Sequence, residues 1–345
     1  MSRHPKRINL ALQGGGAHGA YTWGVLDRIL EDDGIEISAI SGTSAGALNG
    51  AALKAGLASG GPEAARENLD WVWDRVGRVT DLRLNTWMSL FTPAMVAQAL
   101  ELSPAFSAID LTSRVFSPYD YGAAYRNPLA DVVADMRFAD VCSPAGPAFH
   151  VCATNVRSGK IRVFSGDEIG PDAILASACL PTLFRAVEIS DPATGRLEAY
   201  WDGGYTGNPA LFPLYAPELP ADIVVVNINP LYREELPTSV NQIQNRINEI
   251  GFNTSLLREL RAVDFVHRLI ETHAVAEGSM KKVLVHMIAD DALMNELSVA
   301  TKLIALPSVI RTLKAAGRAA ADVFLEDHRD DLGVRGTVDL RAMFG

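Results

Sequence analysis

The sequence predicts an α/β protein, a three-layer α/β/α sandwich around a mostly parallel central sheet, with a helical extension at its C-terminal end. Short apolar runs at residues 8–12 (Ile-Asn-Leu-Ala-Leu) and 35–40 are each followed by a segment with helical character. A strand, helix, strand, helix order requires crossover connections, which make neighbouring strands parallel and cover the sheet with helices. Strand-like runs recur at 149–154, 161–164, 197–201 and 222–228, the last reading Asp-Ile-Val-Val-Val-Asn-Ile, apolar enough to be buried on both faces. At 345 residues the chain can bury a substantial core, as one large domain with additions or as two smaller ones, without disulfides or metals.

The first strand ends in Gly14, Gly15 and Gly16, and residues 19–31 then carry Val25, Leu26, Ile29 and Leu30 at helical spacing. The second strand runs into Ser41-Gly42-Thr43-Ser44-Ala45-Gly46 and a small-residue helix from Ala45 to about Leu57. From about 62 to 140 the pattern is mostly helical and rich in large side chains, among them Trp71, Trp73, Trp87, Phe91, Met95, Phe106 and Phe116, which reads as a cap. The sheet then resumes, with a helix at 171–178 and a strand at 197–201 that delivers Asp202.

Past Pro230 the chain turns polar. Val240, Ile243, Ile247 and Ile250 form one apolar stripe, and Leu256, Leu260, Val263 and Ile270 form a second. Packing on the sheet is expected for both, ahead of a subunit contact or a lipid-facing surface. Residues 283–288 read as another strand, and Ser308 is placed to cap a last helix with Val309, Leu313, Ala316, Ala320 and Val323 on one face. The expected division is a main domain at 8–215, including the cap at 62–140, and an accessory, mostly helical region at 216–345 packed on or near the sheet.

The formal charge of −10, with scattered Lys and Arg, argues against a nucleic-acid partner, whose phosphates need clustered cations. The same charge disfavours bulk attraction to an anionic bilayer. No run approaches the ~20 apolar residues of a membrane span, and the apolar stretch after the basic Met1–Arg7 segment breaks at Gly14, too short for a signal sequence. Cys142, Cys152 and Cys179 are odd in number and lack Cys-x-x-Cys spacing, which argues against a disulfide framework or a zinc site. A cytoplasmic protein touching membranes peripherally, if at all, is the expectation. The sequence does not fix its oligomeric state.

Gly42-Thr43-Ser44-Ala45-Gly46 is a Gly-x-Ser-x-Gly element between a predicted strand and a predicted helix, the context in which that motif presents a nucleophile. Small flanking residues permit a sharp turn that exposes the serine hydroxyl, and the helix behind it supplies backbone N–H groups. The same residues also fit a plain turn with Ser44 as a helix cap. Gly14-Gly15-Gly16-Ala17-His18-Gly19 matches the Gly-x-Gly-x-x-Gly spacing of dinucleotide loops, but the second strand ends in Ser41-Gly42 where a ribose-binding acid should stand. A glycine run so near a nucleophile elbow has another use, because unobstructed N–H groups can face a developing oxyanion. Gly14, Gly15, Gly16 and Ala45 are the candidates, with a tightly packed structural turn as the alternative.

A serine hydroxyl needs a proton acceptor, usually a histidine held by a carboxylate. After residue 202 the histidines are His267, His273, His286 and His328, and all fall inside regular patterns or at a charged helix end, not in a turn past a strand. Trp201-Asp202-Gly203-Gly204 instead places a carboxylate at a strand end beside glycines that allow close approach. An ordinary Asp, with a pKa near ~3.9, is a poor base for a hydroxyl, so direct catalysis requires desolvation and a fixed hydrogen bond. The alternative is an Asp-Gly-Gly turn.

These three elements in this order resemble the patatin-like phospholipases, whose glycine-rich loop, Gly-x-Ser-x-Gly elbow and Asp-Gly-Gly motif fall here on Gly14–Gly19, Gly42–Gly46 and Asp202–Gly204. Ser177-Ala178-Cys179-Leu180-Pro181 and Asn208-Pro209 extend the similarity over about residues 8–215, while His18 stands where many bacterial members carry Arg. The resemblance implies a Ser44–Asp202 dyad acting on a lipid acyl ester, with no metal and no cofactor. Thioester hydrolysis, acyl transfer, or a lipid- or protein-binding module without turnover are the alternatives it leaves.

Overall fold

The computed structural model describes residues 5–79, 93–101, 103, 115–276 and 278–344. Among the described residues eight strands form a single sheet: β1 (Lys6–Leu12), β2 (Ile35–Thr43), β3 (Ala148–Asn155), β4 (Ile161–Ser165), β5 (Val187–Asp191), β6 (Arg196–Asp202), β7 (Asp222–Asn227) and β8 (Leu284–Ala289). Their order is β5-β6-β3-β2-β1-β7-β8, with β4 paired to β3. The pairs β1–β2, β1–β7, β2–β3 and β7–β8 are parallel, whereas β3–β4, β3–β6 and β5–β6 are antiparallel. The sheet is therefore mostly parallel at its centre and mixed at one side. The short strand β5, which the sequence reading did not anticipate, alternates half-buried and exposed residues over Val-Glu-Ile-Ser and ends on the buried Asp191 at the antiparallel edge.

The helices are α1 (Gly19–Ile29), α2 (Ala45–Ser59), α3 (Gly61–Val79), α4 (Pro93–Glu101), α5 (Ala130–Ala134), α6 (Phe138–Val141), α7 (Pro171–Ser177), α8 (Val240–Glu271), α9 (Asp291–Glu296), α10 (Val299–Leu303), α11 (Pro307–His328) and α12 (Leu340–Phe344). They cover both faces, because alternate residues of the central strands point to two separate cores. Ile8, Leu10 and Leu12 of β1 with Val224 and Val226 of β7 enter a core shared with α1, α2, α3 and α11. Ala11, Ile223 and Val225 enter the other, closed by Leu256, Leu260 and Val263 of α8 and Leu340 of α12. The three-layer α/β/α sandwich follows from that alternation.

On the first face, Trp23 of α1 stacks on Trp73 of α3 with ring centroids 6.3 Å apart, and Asp27 of α1 pairs with Arg66 of α3 and Arg318 of α11. Residues from 216 onward thus supply two strands of the common sheet and a helix packed along α1. Of the large side chains between 62 and 140, Trp73 is core while Met95 and Phe116 are exposed, and Trp87, Phe91 and Phe106 lie outside the described residues.

Two details differ from expectation. Ser308 is not the cap of α11: the helix starts at Pro307 after Leu306, with no side-chain cap, because proline already fits the first helical position. Its buried line runs through Val309, Leu313, Gly317, Ala321 and Phe324, so Ala316 and Ala320 sit at its margin and Val323 faces solvent. The stripe at 240–250 and the one at 256–270 belong to one helix, α8, but only Leu256, Leu260 and Val263 are buried, with Ile270 half-buried. Val240, Ile243, Ile247 and Ile250 are exposed, against the packing expected for them, because the side of α8 turned to the body of the protein carries Arg246, Glu249 and Asn253 instead.

Candidate active site

Strand register brings the three motifs to one place. Leu12 pairs with Gly42, so the glycine loop after β1 and the turn after β2 emerge side by side. Thr43 pairs with Cys152 on β3, and the next residue of β3, Ala153, pairs with Asp202 at the end of β6. Ser44 and Asp202 are thus neighbours across the β3 end, although 158 positions of sequence separate them by their numbers, 202 minus 44.

Ser44 has φ 54° and ψ −120°, a region that non-glycine residues rarely occupy, and it is the residue at which β2 breaks into α2. The turn is over-determined. Ser44 N–H donates to Ser177 Oγ at 2.8 Å, Ser177 Oγ donates to the Cys152 carbonyl at 2.6 Å, and the Ser44 carbonyl accepts from Ala47 N–H at 2.9 Å. Gly46 is obligatory for packing, since a side chain there would collide with the Leu12 carbonyl, and Gly14 lies so close that a Cβ on it would stand 2.6 Å from Ser44 Cβ. Gly42 and Gly19 are packed in the same manner, against Gly46 and against Ala45. The expected exposure of the hydroxyl is small, with Ser44 8% exposed in a recess between these loops.

Asp202 is 1% exposed. Its backbone is fixed by Asp202 N–H to the Cys179 carbonyl at 2.8 Å and by Thr154 Oγ1 donating to its carbonyl at 2.8 Å, and Gly204 N–H donates to its Oδ1 at 2.7 Å. Gly203 has no room for a side chain beside the Cys152 carbonyl, so glycine permits the approach of the β6 end to β3. Burial raises the Asp202 carboxyl to about 7, opposed by the Gly204 N–H and the Ser44 hydroxyl, both of which favour the charged form. A carboxyl poised there can accept a proton from a hydroxyl near neutral pH.

The glycine loop is anchored by amides that the sequence reading did not single out. Gln13 Oε1 accepts from Ile228 N–H, Asn229 N–H and Asn229 Nδ2, and Gln13 Nε2 donates to the Asn208 carbonyl and Asn253 Oδ1, over 2.9–3.3 Å. Gly14 N–H donates to Asn208 Oδ1 at 2.6 Å and the Gly14 carbonyl accepts from Asn229 Nδ2 at 2.8 Å. Gly14 therefore supports the loop, and its N–H is already engaged. Among the described residues the N–H groups of Gly15, Gly16 and Ala45 have no hydrogen-bond acceptor, so these three remain as the candidates for oxyanion donors. Asn208 lay in the Asn208-Pro209 pair noted above. Nothing in the spacing of Gln13, Asn229 or Asn253 marked them, because their partnership arises only when β1, β7 and α8 converge.

His18 closes the loop from behind. Its Nε2 lies 2.9 Å from Thr301 Oγ1, a hydroxyl that already donates to the Ser298 carbonyl and accepts from Ser298 N–H. Thr301 can then only accept, so the imidazole carries its proton on Nε2. Burial, and then Lys302 and Arg233, hold the His18 pKa well below its ordinary value. A neutral, buried imidazole offers no anion contact of the kind the family's arginine could make. The neighbouring Gly16 has φ 58° and faces the Lys302 carbonyl, where a Cβ would collide. Gly16→Ala is expected to displace the loop and lower kcat by ~10²–10³-fold, the usual cost of a misplaced oxyanion donor. The comparison to make is kcat against KM for a soluble ester, together with a melting curve: an unchanged kcat in the folded variant would remove Gly16 from the site.

The downstream histidines lie elsewhere. His286 is buried between Asp222, at 3.0 Å, and Thr337, at 3.2 Å, His267 bonds the Val283 carbonyl, and His328 bonds Asp331. No group of three or more His, Cys, Asp or Glu among the described residues is placed to hold a metal ion.

A parallel-centred α/β/α sandwich with a strained serine at a strand-to-helix turn, a buried strand-end aspartate and a glycine loop defines the class. The chain belongs to the patatin-like phospholipase family, whose model matches residues 10–215. Membership of that family suggests a lipid acyl hydrolase and implies a lipid as the substrate class. Among solved structures the chain is similar to VipD from Legionella pneumophila, at 14% identity and a TM-score of 0.42, covering 94% of this chain and 67% of that one. It is also similar to the heterodimeric ExoU–SpcU complex from the type III secretion system of Pseudomonas aeruginosa, at 15% identity and a TM-score of 0.29, covering 95% of this chain and 61% of that one. No curated protein matches the sequence. No helix among the described residues is long and apolar enough to cross a membrane.

Proposed function

We propose that the protein is a serine hydrolase of lipid acyl esters, of the phospholipase A or lysophospholipase type, working through Ser44 and Asp202. The observation that carries this reading is the buried Asp202 carboxyl, raised to about 7 and within hydrogen-bonding influence of a serine held at φ 54°. Asp202 accepts the Ser44 proton as Oγ attacks the ester carbonyl carbon, and the resulting oxyanion is met by the N–H groups of Gly15, Gly16 and Ala45. Collapse expels the alcohol, which takes its proton from Asp202, and leaves an acyl-serine. A water then gives a proton to Asp202 as it attacks the acyl carbon, and collapse of the second intermediate returns that proton to Ser44 Oγ and releases the fatty acid.

In this reading the main domain at 8–215 carries the dyad. The region 216–345 supports its loop through Asn229, Asn253, Thr301 and Lys302. Contact with membranes is peripheral. The deciding experiment is a fluorophosphonate label on the purified protein together with a hydrolysis screen over phospholipids, lysophospholipids, triacylglycerols and acyl thioesters. Labelling at Ser44 with fatty-acid release from the phospholipids or lysophospholipids is expected. Absence of labelling and of turnover would leave a binding module on the same fold, and release from thioesters alone would assign a thioesterase.

A further inference from the structure

The first three turns of α8 present a surface unlike an ordinary solvated helix. At 100° per residue, Val240, Ile243, Ile247 and Ile250 fall within an arc of about 80°, and together with Leu236 just before the helix they are between 43% and 86% exposed. Water-facing helix surfaces are normally charged. Here the polar residues of the same outward side, Gln244 and Asn248, are uncharged and exposed. The two charged residues of this segment turn inward instead: Glu249 pairs with Arg233 at 2.7 Å, and Arg246 bonds Glu249 and the carbonyls of Pro230 and Leu231.

The position of this surface ties it to the site. Phe252, two residues past Ile250, meets Tyr205 edge-on with ring centroids 5.3 Å apart and packs against Gly204 of the Asp202 turn. Ser255 then accepts from Asn208 N–H at 3.0 Å. The stripe therefore begins beside the dyad and runs outward for about 18 Å, at 1.5 Å per residue from 252 to 240.

We propose that this stripe is the surface by which the protein seats itself on a zwitterionic lipid interface, with the dyad at its edge. The choice of occupant follows from charge. The stripe offers apolar and amide groups and no cation, the adjacent Glu234 and Glu235 are acidic, and the chain carries −10 overall, so an anionic surface is repelled while a phosphocholine surface is matched. The proposal rests on the lipid-ester reading above.

The test replaces Ile243→Ser together with Ile247→Ser, neither of which is in the catalytic machinery. Binding to pure phosphatidylcholine vesicles is measured in a Ser44→Ala background, so that turnover plays no part. The double replacement is expected to lower vesicle partitioning by roughly tenfold or more, given the transfer energy of two aliphatic side chains. With Ser44 restored, it is expected to leave hydrolysis of a soluble short-chain ester and the melting temperature unchanged. Vesicles mixed with phosphatidylserine should bind the parent protein less well. Equal partitioning of parent and double variant overturns the proposal, as does a stable dimer of the parent, without lipid, that the double replacement dissociates, since the stripe would then be covered by a second copy. Vesicle binding by a protein that hydrolyses no ester would retain this surface and reject the hydrolase, and the converse result would reject the surface alone.

Discussion

Ser44→Ala is expected to lower ester turnover by roughly 10⁴- to 10⁶-fold, the range seen when a hydrolase loses its nucleophile, and to abolish fluorophosphonate labelling. The fold should be untouched. Alanine must accept the same φ of 54°, but what holds the turn is backbone: the N–H on Ser177 Oγ and the carbonyl on Ala47 N–H, neither of which involves the lost oxygen. With no cavity opened in a core, a shift in stability within about 1 kcal/mol is the expectation. The measurement is kcat/KM on a soluble ester beside thermal unfolding of both proteins. A folded variant that keeps more than a hundredth of the parent activity would put the nucleophile elsewhere.

Much of this site was legible in the sequence because each motif is local. The glycine loop, the elbow and the Asp-Gly-Gly turn each sit directly at a strand end, and the parallel strands β1 and β2 deliver the first two to one edge of the sheet. Recognising β1 and β2 brings Gly15 and Ser44 together, whereas Asp202 joins them because β6 runs antiparallel to β3 and ends beside Ala153, a pairing that no local pattern shows. What was not legible is long-range. Gln13 binds Asn229 and Asn253 across the chain, and Lys302 confines Gly16 from a helix almost 300 residues away. The stripe at 240–250 failed for a different reason. Period alone says that one side of a helix is apolar, but not whether the protein covers it, and here α8 turns Arg246 and Glu249 to the body of the molecule and leaves that stripe outside.

Asp202→Asn should be as inactive as Ser44→Ala, and it should also change how stability depends on pH. Asparagine keeps the shape and can still accept from Gly204 N–H through its oxygen, but it cannot take the serine proton. In the parent, a base with a pKa of about 7 must be deprotonated to act, so kcat/KM is expected to rise with pH and level off above about 7. For stability the sign is opposite. The folded pKa lies above the unfolded value of ~3.9, so the folded state holds this proton more tightly. The associated stabilisation is complete below the unfolded pKa and is lost as pH rises through about 7. Above that pH the parent buries a bare carboxylate and the variant a neutral amide. The melting temperature of Asp202→Asn should therefore exceed that of the parent by several degrees at pH 8, with the gap narrowing toward pH 5. The control is His286→Gln. It disturbs a buried pair with Asp222, the first residue of β7, whereas β7 meets the site through its other end, where the Val226 carbonyl accepts from Gln13 N–H. It should cost stability without moving the pH limb. A melting-temperature gap independent of pH would show that the folded protein does not raise the Asp202 pKa, and a folded His286→Gln variant as inactive as Ser44→Ala would show that the proton goes to a histidine and not to Asp202.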